Sequence, residues 1–185
     1  LELQACDLDK RVRQMAKRLG VDPEAICLDV IGLRHQIRGM KAFRRWYEDM
    51  LGSKAYDLVV IDPFYKLFDR DMDINQEGDA LAILDQLRAM FLRDERSALA
   101  MAHHFPKGGG ARADAADRPS GSAALGRDFD VLISVTRDAS GRRRQLQFTQ
   151  RAFPETFMVV EWKDGLFERD EEATERGQQS HSRTE

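Results

Sequence analysis

Hydrophobic positions along this chain follow two spacings, one typical of helices and one typical of buried strands. Helical spacing is found over 8–19, 40–51 and 79–94, and strand-like apolar runs over 26–30, 57–62 and 97–103. A strand, a helix and a strand of these lengths form a right-handed βαβ unit. The strands over 57–62 and 97–103 are therefore expected to be parallel neighbours.

The C-terminal third has a different pattern. It predicts antiparallel strands over 129–136, 143–149 and 156–162, with a hairpin turn at Asp138–Gly141. Residues 170–185 are polar and charged, which predicts a disordered tail. The expected fold is α/β, with a mostly parallel sheet flanked by helices, antiparallel strands at the C-terminal end and one core over 1–169.

One strand ends in a single carboxylate. Tyr56 and the run Leu58 to Ile61 suit a strand buried on both faces, and Pro63 stops it after Asp62. Ligands of open α/β sheets bind outside the carboxyl ends of the strands. Asp62 is therefore a candidate Mg²⁺ ligand opposite the phosphates of a nucleotide, the Walker B pattern. A strand-capping Asp in an ordinary α/β domain explains this pattern alone equally well.

The next strand ends in two histidines, His103 and His104. A histidine at this edge can donate a hydrogen bond to a γ-phosphate, and His103 is the candidate. Adjacent strand residues point to opposite faces, so at most one of the two can have this role. The alternative is that either histidine satisfies a buried backbone group.

Four segments occur in an informative order: IDPFYKLF, HHFPKGGG, GSAALGRDFDVLISVTR and QRAFPETFMVVEW. This order resembles the C-terminal two thirds of the RepA-type hexameric replicative helicase ATPases, a group of the RecA/DnaB-like P-loop ATPases of plasmids and phages. The resemblance extends to about Arg169. It implies a RecA-like core, ATP and Mg²⁺ as cofactors, a homo-hexameric ring and single-stranded DNA as partner.

The resemblance also implies roles for individual residues. Glu2 takes the place of the general base that polarises the attacking water, although a frayed terminal residue is the alternative. Ser122, in the GSAAL segment, takes a nucleotide-binding place. The position that matches the family's trans-acting arginine is Asp130 here, so Arg127 is the first candidate for that arginine and Arg151 the second.

The sequence contains no G-x-x-x-x-G-K-[ST] phosphate loop, and Gly108–Gly110 is no substitute because no Lys-Ser or Lys-Thr follows. We interpret the chain as a fragment whose phosphate loop lies upstream, inactive as an ATPase alone. Two other interpretations stay open: a KaiC- or RecA-like recombination or signalling ATPase, and an inert module. The glycine-rich segment 106–120 is expected to be mobile, and its Lys107 and Arg112 are candidates for DNA contacts or solvated loop residues.

Composition changes this picture little. The chain of 185 residues is 42% hydrophobic, with a net charge of −3, and a pI near 5.9 does not indicate nucleic-acid binding by the whole domain. A ring needs only a local basic lining, so DNA binding stays possible. No apolar run or signal peptide indicates a membrane, and we expect a cytoplasmic protein. Cys6 and Cys27 lack metal-ligand spacing and are expected to be reduced, buried thiols.

Overall fold

The computed structural model describes residues 5–33, 37–52, 54–73, 75–92, 96–103, 128–138 and 141–181. The helices are α1 (Ala5–Arg18), α2 (Met40–Met50), α3 (Glu77–Phe91) and α4 (Glu171–His181). The strands are β1 (Leu58–Ile61), β2 (Ala98–Met101), β3 (Val131–Arg137), β4 (Arg143–Gln150), β5 (Thr156–Lys163) and β6 (Leu166–Arg169). Short 3-10 turns lie at Pro23–Ala25 and Phe64–Leu67.

The described residues form two compact units. The first contains the described residues between 30 and 128, and therefore α2, β1, α3 and β2. The second contains residues 7–29 and the described residues from 129 onward, and therefore most of α1, the strands β3–β6 and α4. Each unit has its own sheet.

The sheet of the first unit is a parallel pair. β1 and β2 run in register from Leu58 opposite Ala98 to Ile61 opposite Met101, and α3 connects them along the chain. The sequence predicted this parallel pairing, and the structure confirms it. The spacing of its apolar residues makes α3 the main helix of the core, and its buried side chains are Ala80, Ile83, Leu84, Leu87, Met90 and Phe91.

Aromatic packing joins α2 to the end of α3. The ring of Tyr47 meets that of Phe91 edge-on, with centroids 4.9 Å apart, and Phe43 lies 6.3 Å from the same ring. Edge-to-face pairs at such distances are favourable beyond the apolar area they bury. α2 therefore belongs to the core that supports the parallel strands.

The prediction that β1 is buried on both faces is wrong for the described structure. Ile61 is 5% exposed, whereas Leu58 and Val60 are 57% and 63% exposed. Successive strand residues point to opposite faces, so only one face of β1 packs against the core.

The second unit is built on an antiparallel sheet in the order β3-β4-β5-β6. The predicted antiparallel strands near 129–136, 143–149 and 156–162 are confirmed as β3, β4 and β5. Gly141, at φ 73°, donates its backbone N–H to Asp138 O at 3.1 Å beside the β3–β4 hairpin. β6 was not predicted; it pairs with β5 from Val160 opposite Arg169 to Lys163 opposite Leu166.

The predicted fold class is wrong. The described residues contain a two-stranded parallel sheet and a separate four-stranded antiparallel sheet, not a mostly parallel RecA-like core. Hydrophobic spacing identifies strands, but sheet membership depends on long-range hydrogen bonds. The hairpin connections of β3 to β6 join those strands to one another.

Part of the segment expected to be a disordered tail forms α4. Thr174 is fully buried; its hydroxyl donates to Asp170 O at 2.7 Å and accepts from the backbone N–H of Val159 at 2.9 Å. Asp170 Oδ1 accepts from the backbone N–H of Ala173 at 3.0 Å, which caps the helix. These contacts with β5 stabilise α4, whose polar sequence alone would not be expected to form a stable helix. The boundary of a single core at residue 169 stays a prediction.

α1 matches the predicted helix over 8–19. Its Arg13 pairs with Glu24 at 2.6 Å and with Asp9 at 3.0 Å, and these hydrogen bonds, that of Glu24 first, raise the pKa of the exposed guanidinium above its ordinary value. The predicted strand over 26–30 is wrong: Leu28 donates its N–H to Ile26 O in a local turn. No described helix has the length and apolar character needed to cross a bilayer.

Candidate functional site

Asp62 lies where the sequence placed it, directly after β1 and exposed to solvent. The parallel ladder continues past the strand ends: Ala102 N–H donates to Ile61 O at 2.9 Å, and Phe64 N–H donates to Ala102 O at 2.8 Å. The Asp62–Pro63 peptide bond is cis, and Pro63 is buried. Hydrogen bonds on both sides of Asp62 thus hold the backbone from which its carboxylate projects.

His103 lies two residues after β2, at the same carboxyl edge as Asp62. Its half-buried ring stands edge-on to that of Phe64, with centroids 6.0 Å apart and planes at 84°. Phe64 is 1% exposed and makes a second edge contact with Phe68 at 5.3 Å. The 3-10 turn after Asp62 therefore supplies the aromatic support for the histidine, a contact that the sequence analysis did not foresee.

The polar groups that the structure brings to this edge are one carboxylate and one imidazole, those of Asp62 and His103. Among the described residues, no three His, Cys, Asp or Glu side chains converge as a metal site. Mg²⁺ commonly takes one or two carboxylates, with phosphate oxygens and water completing its octahedron. Asp62 fits such a site as a single carboxylate, and His103 fits as a hydrogen-bond donor to phosphate.

Several predicted site residues lie outside the described residues. Glu2, Lys107, Arg112, Ser122 and Arg127 are in this group, as is the segment 106–120 that was expected to be mobile. Their roles stay predictions.

Asp128, the residue after Arg127, lies within the described residues and is held by Arg88. Arg88 of α3 contacts Asp128 Oδ2 at 2.7 Å and donates a further hydrogen bond to Asp128 O at 3.1 Å. Asp128 is only 24% exposed at its side chain. Arg88 therefore fixes the backbone next to the first candidate for the trans-acting arginine.

Arg151, the second candidate, is exposed just beyond β4. Its backbone N–H donates to Asp130 O at 3.2 Å, which extends the β3–β4 ladder by one pair. It belongs to the antiparallel unit, whereas Asp62 and His103 belong to the parallel one. Its proposed role stays a prediction.

Cys6 and Cys27 are exposed, so the predicted burial of both thiols is wrong. A cluster of arginines and aromatic rings on the antiparallel sheet was also not predicted. The available signal was the two-residue spacing of Arg142, just before β4, and Arg144, within β4. This spacing becomes informative only when the register with Trp162 in β5 is known.

No protein-family model matches this sequence, and no curated protein matches it.

Proposed function

We propose that this chain supplies the metal- and γ-phosphate-contacting edge of an ATP-hydrolysing motor that acts on single-stranded DNA. Asp62 would hold Mg²⁺ and His103 would donate a hydrogen bond to the γ-phosphate. The observation that carries the proposal is the parallel pairing of β1 and β2, which brings both residues to one carboxyl edge.

The local structure supports these roles. Asp62 is exposed, so its carboxylate is accessible to a hydrated ion, while the hydrogen-bonded backbone on either side limits its movement. The contact with Phe64 restricts the ring of His103. Bound Mg²⁺ would neutralise phosphate charge, and the protein's part is to position these two side chains.

The order of the four sequence segments carries the wider part of the proposal. By its resemblance to the replicative helicase ATPases, we place the protein in a homo-oligomeric ring around single-stranded DNA in the cytoplasm. The arginine supplied by a neighbouring copy would be Arg127 or, failing that, Arg151.

The nucleotide site is tested by titrating the chain with Mn²⁺–ATP and following the imidazole resonances by NMR. Paramagnetic Mn²⁺ should broaden His103 first among the four histidines. With one carboxylate and no phosphate loop in the sequence, we expect weak binding, with Kd of about 1 mM. Asp62→Asn should weaken it about tenfold, because the amide removes the charge that the ion needs.

Asp57→Asn is the matched control. Asp57 is also an exposed carboxylate, but it directly precedes the N-terminal end of β1, whereas Asp62 follows its C-terminal end. It should leave the titration unchanged. The site would be contradicted if the His103 resonance still broadened fully in Asp62→Asn. It would also be contradicted if Asp57→Asn reduced the broadening as much as Asp62→Asn does.

A further inference from the structure

One end of the antiparallel sheet carries a row of arginines. Arg137 of β3 lies opposite Arg144 of β4, Arg144 opposite Val160 of β5, and Val160 opposite Arg169 of β6. Residues directly opposite one another project from the same face. Three of the four strands therefore present an arginine along one line across this face, which we call the open face.

A second row lies next to the first, nearer the β3–β4 hairpin. Trp162 is opposite Phe167, and Arg142, which directly precedes β4, lines the same cavity as Trp162. Trp162 and Phe167 are 55% and 51% exposed and meet edge-on, with centroids 4.9 Å apart. Two large aromatic rings are thus available to solvent beside the arginines. We call the two rows together the arginine–tryptophan patch: Arg137, Arg142, Arg144, Arg169, Trp162 and Phe167.

The patch has a net positive charge. The positions of β3 to β6 that point to the open face are Val131, Ile133, Val135, Arg137, Arg144, Leu146, Phe148, Gln150, Thr156, Met158, Val160, Trp162, Phe167 and Arg169. This described set contains no carboxylate. Arg144 donates to two backbone carbonyls, Gly141 O at 2.8 Å and its neighbour Arg143 O at 2.9 Å. These bonds orient its guanidinium without neutralising its charge.

Three carboxylates near the patch contact cationic side chains. Glu171 contacts Arg169 at 3.1 Å and so offsets one charge of the patch. Glu161 lies 3.6 Å from Lys163, and Asp164 lies 3.8 Å from Arg18. Among the described residues, Arg137 and Arg144 have no carboxylate partner, so their charges are left on the patch.

A shallow cavity of about 450 Å³ lies within the patch, lined by Gly141, Arg142, Arg144, Glu161 and Trp162. It brings the exposed indole of Trp162 and two arginines to one concave surface. An aromatic face beside cations matches a base attached to a phosphate.

We propose that the arginine–tryptophan patch binds single-stranded nucleic acid, with bases stacked on Trp162 and Phe167 and phosphates on the arginines. Stacking on exposed aromatic side chains needs unpaired bases, which a duplex does not offer. Neighbouring strands are ~4.8 Å apart, so the row from β3 to β6 spans about 14 Å. This width suits two or three nucleotides.

An acidic or phosphorylated peptide is the competing partner. It would use the arginines but would have no need of the two exposed rings. The presence of the rings within the arginine cluster therefore favours a nucleic acid. The patch lies within the second unit, so this proposal does not depend on Asp62 or on nucleotide binding.

The binding test uses the fluorescence of Trp162 in the full chain. The sequence has two tryptophans, so Trp46→Phe leaves Trp162 as the only one. Titration with a single-stranded oligonucleotide, in EDTA and without ATP, should quench this fluorescence, and the duplex of the same sequence should bind less tightly. Because nucleotide and divalent metal are absent, failure of the Asp62 proposal would leave this result unchanged.

Two variants separate stacking from charge, with binding read from the anisotropy of a labelled oligonucleotide. Trp162→Ala should weaken binding about 5- to 150-fold, the range for loss of one stacked base. Arg142→Ala with Arg144→Ala should weaken it about tenfold or more and reduce the salt slope by about 0.7 for each lost phosphate contact.

The matched control for charge is Arg11→Ala with Arg45→Ala, which removes two exposed arginines from outside the patch. It should leave both affinity and salt slope near those of the unmodified chain. Three results would overturn the proposal. The first is a loss of affinity in the control as large as that in the Arg142/Arg144 variant, and the second is an unchanged affinity in Trp162→Ala. The third is tighter binding of an acidic phosphopeptide than of the oligonucleotide.

Discussion

Two buried hydroxyl groups in the antiparallel unit differ in their hydrogen bonds. Thr174 is fully buried and bonded, accepting from the backbone N–H of Val159 at 2.9 Å and donating to Asp170 O at 2.7 Å. Ser134 is 3% exposed at the centre of β3, and its Oγ has no hydrogen-bond partner among the described residues. A buried polar group without a partner lowers the stability of the fold. Removal of a hydrogen-bonded polar group also lowers it, because the partner is left without a hydrogen bond.

Opposite effects on stability are therefore expected at these two positions. Ser134→Ala should be neutral or stabilise the protein by up to about 1 kcal/mol. Thr174→Val keeps the shape of the side chain but leaves the N–H of Val159 unsatisfied, and should cost about 1–3 kcal/mol. Urea unfolding measures both. A clear loss of stability in Ser134→Ala would mean that its hydroxyl has a partner in the folded protein.

The predicted positions of Asp62 and His103 at neighbouring strand ends are confirmed, whereas their roles stay predictions. Asp62 and His103 were identified because a strand that ends in a polar residue is visible in sequence, and pairing in parallel brings such ends together. The support of His103 by Phe64 was not predictable, because it depends on how the turn at 64–67 folds back toward β2.

At the level of elements, β1 differs from its prediction in exposure. An uninterrupted apolar run predicted a strand covered on both faces, yet Val60 is 63% exposed while its neighbour Ile61 is 5% exposed. The sequence shows which strand residues are apolar, but the packing of the helices decides which face of the strand is buried.

Substitutions to threonine at these neighbours test the exposure directly. Val60→Thr should change the free energy of unfolding by no more than about 0.5 kcal/mol, because the side chain stays in solvent. Ile61→Thr should cost more than about 2 kcal/mol, because it removes buried apolar atoms and buries a hydroxyl. Chemical denaturation distinguishes the two. Similar large costs at both positions would show that Val60 is covered.

The elements that were missed had weak local signals. β6 has only four residues, and α4 has a polar sequence with little to bury. For α4 a signal did exist, since Asp170 followed by Glu171 and Glu172 is a helix start with a favourable charge distribution. The composition of the tail obscured it.

At the scale of the whole molecule, cysteine usage misled the prediction. Isolated cysteines are often buried, but Cys6 and Cys27 are both exposed. In the native reduced protein, a thiol reagent should therefore modify both without denaturant. Cys6→Ser and Cys27→Ser should each leave one reactive thiol, which absorbance titration counts. A cysteine that reacts only after urea is added would be buried after all.

The sequence alone determined the positions of α1 to α3, of the strands β1 to β5 and of the polar residues at the ends of β1 and β2. These features depend on the spacing of apolar residues within short stretches of the chain, which can be read from consecutive residues. Only the tertiary structure decided that the strands form two separate sheets, which face of each sheet is exposed, and that Arg144, Trp162 and Phe167 share one surface. The reason is physical: sheet membership and burial depend on contacts between residues far apart in the chain, and many such pairings satisfy the same local pattern.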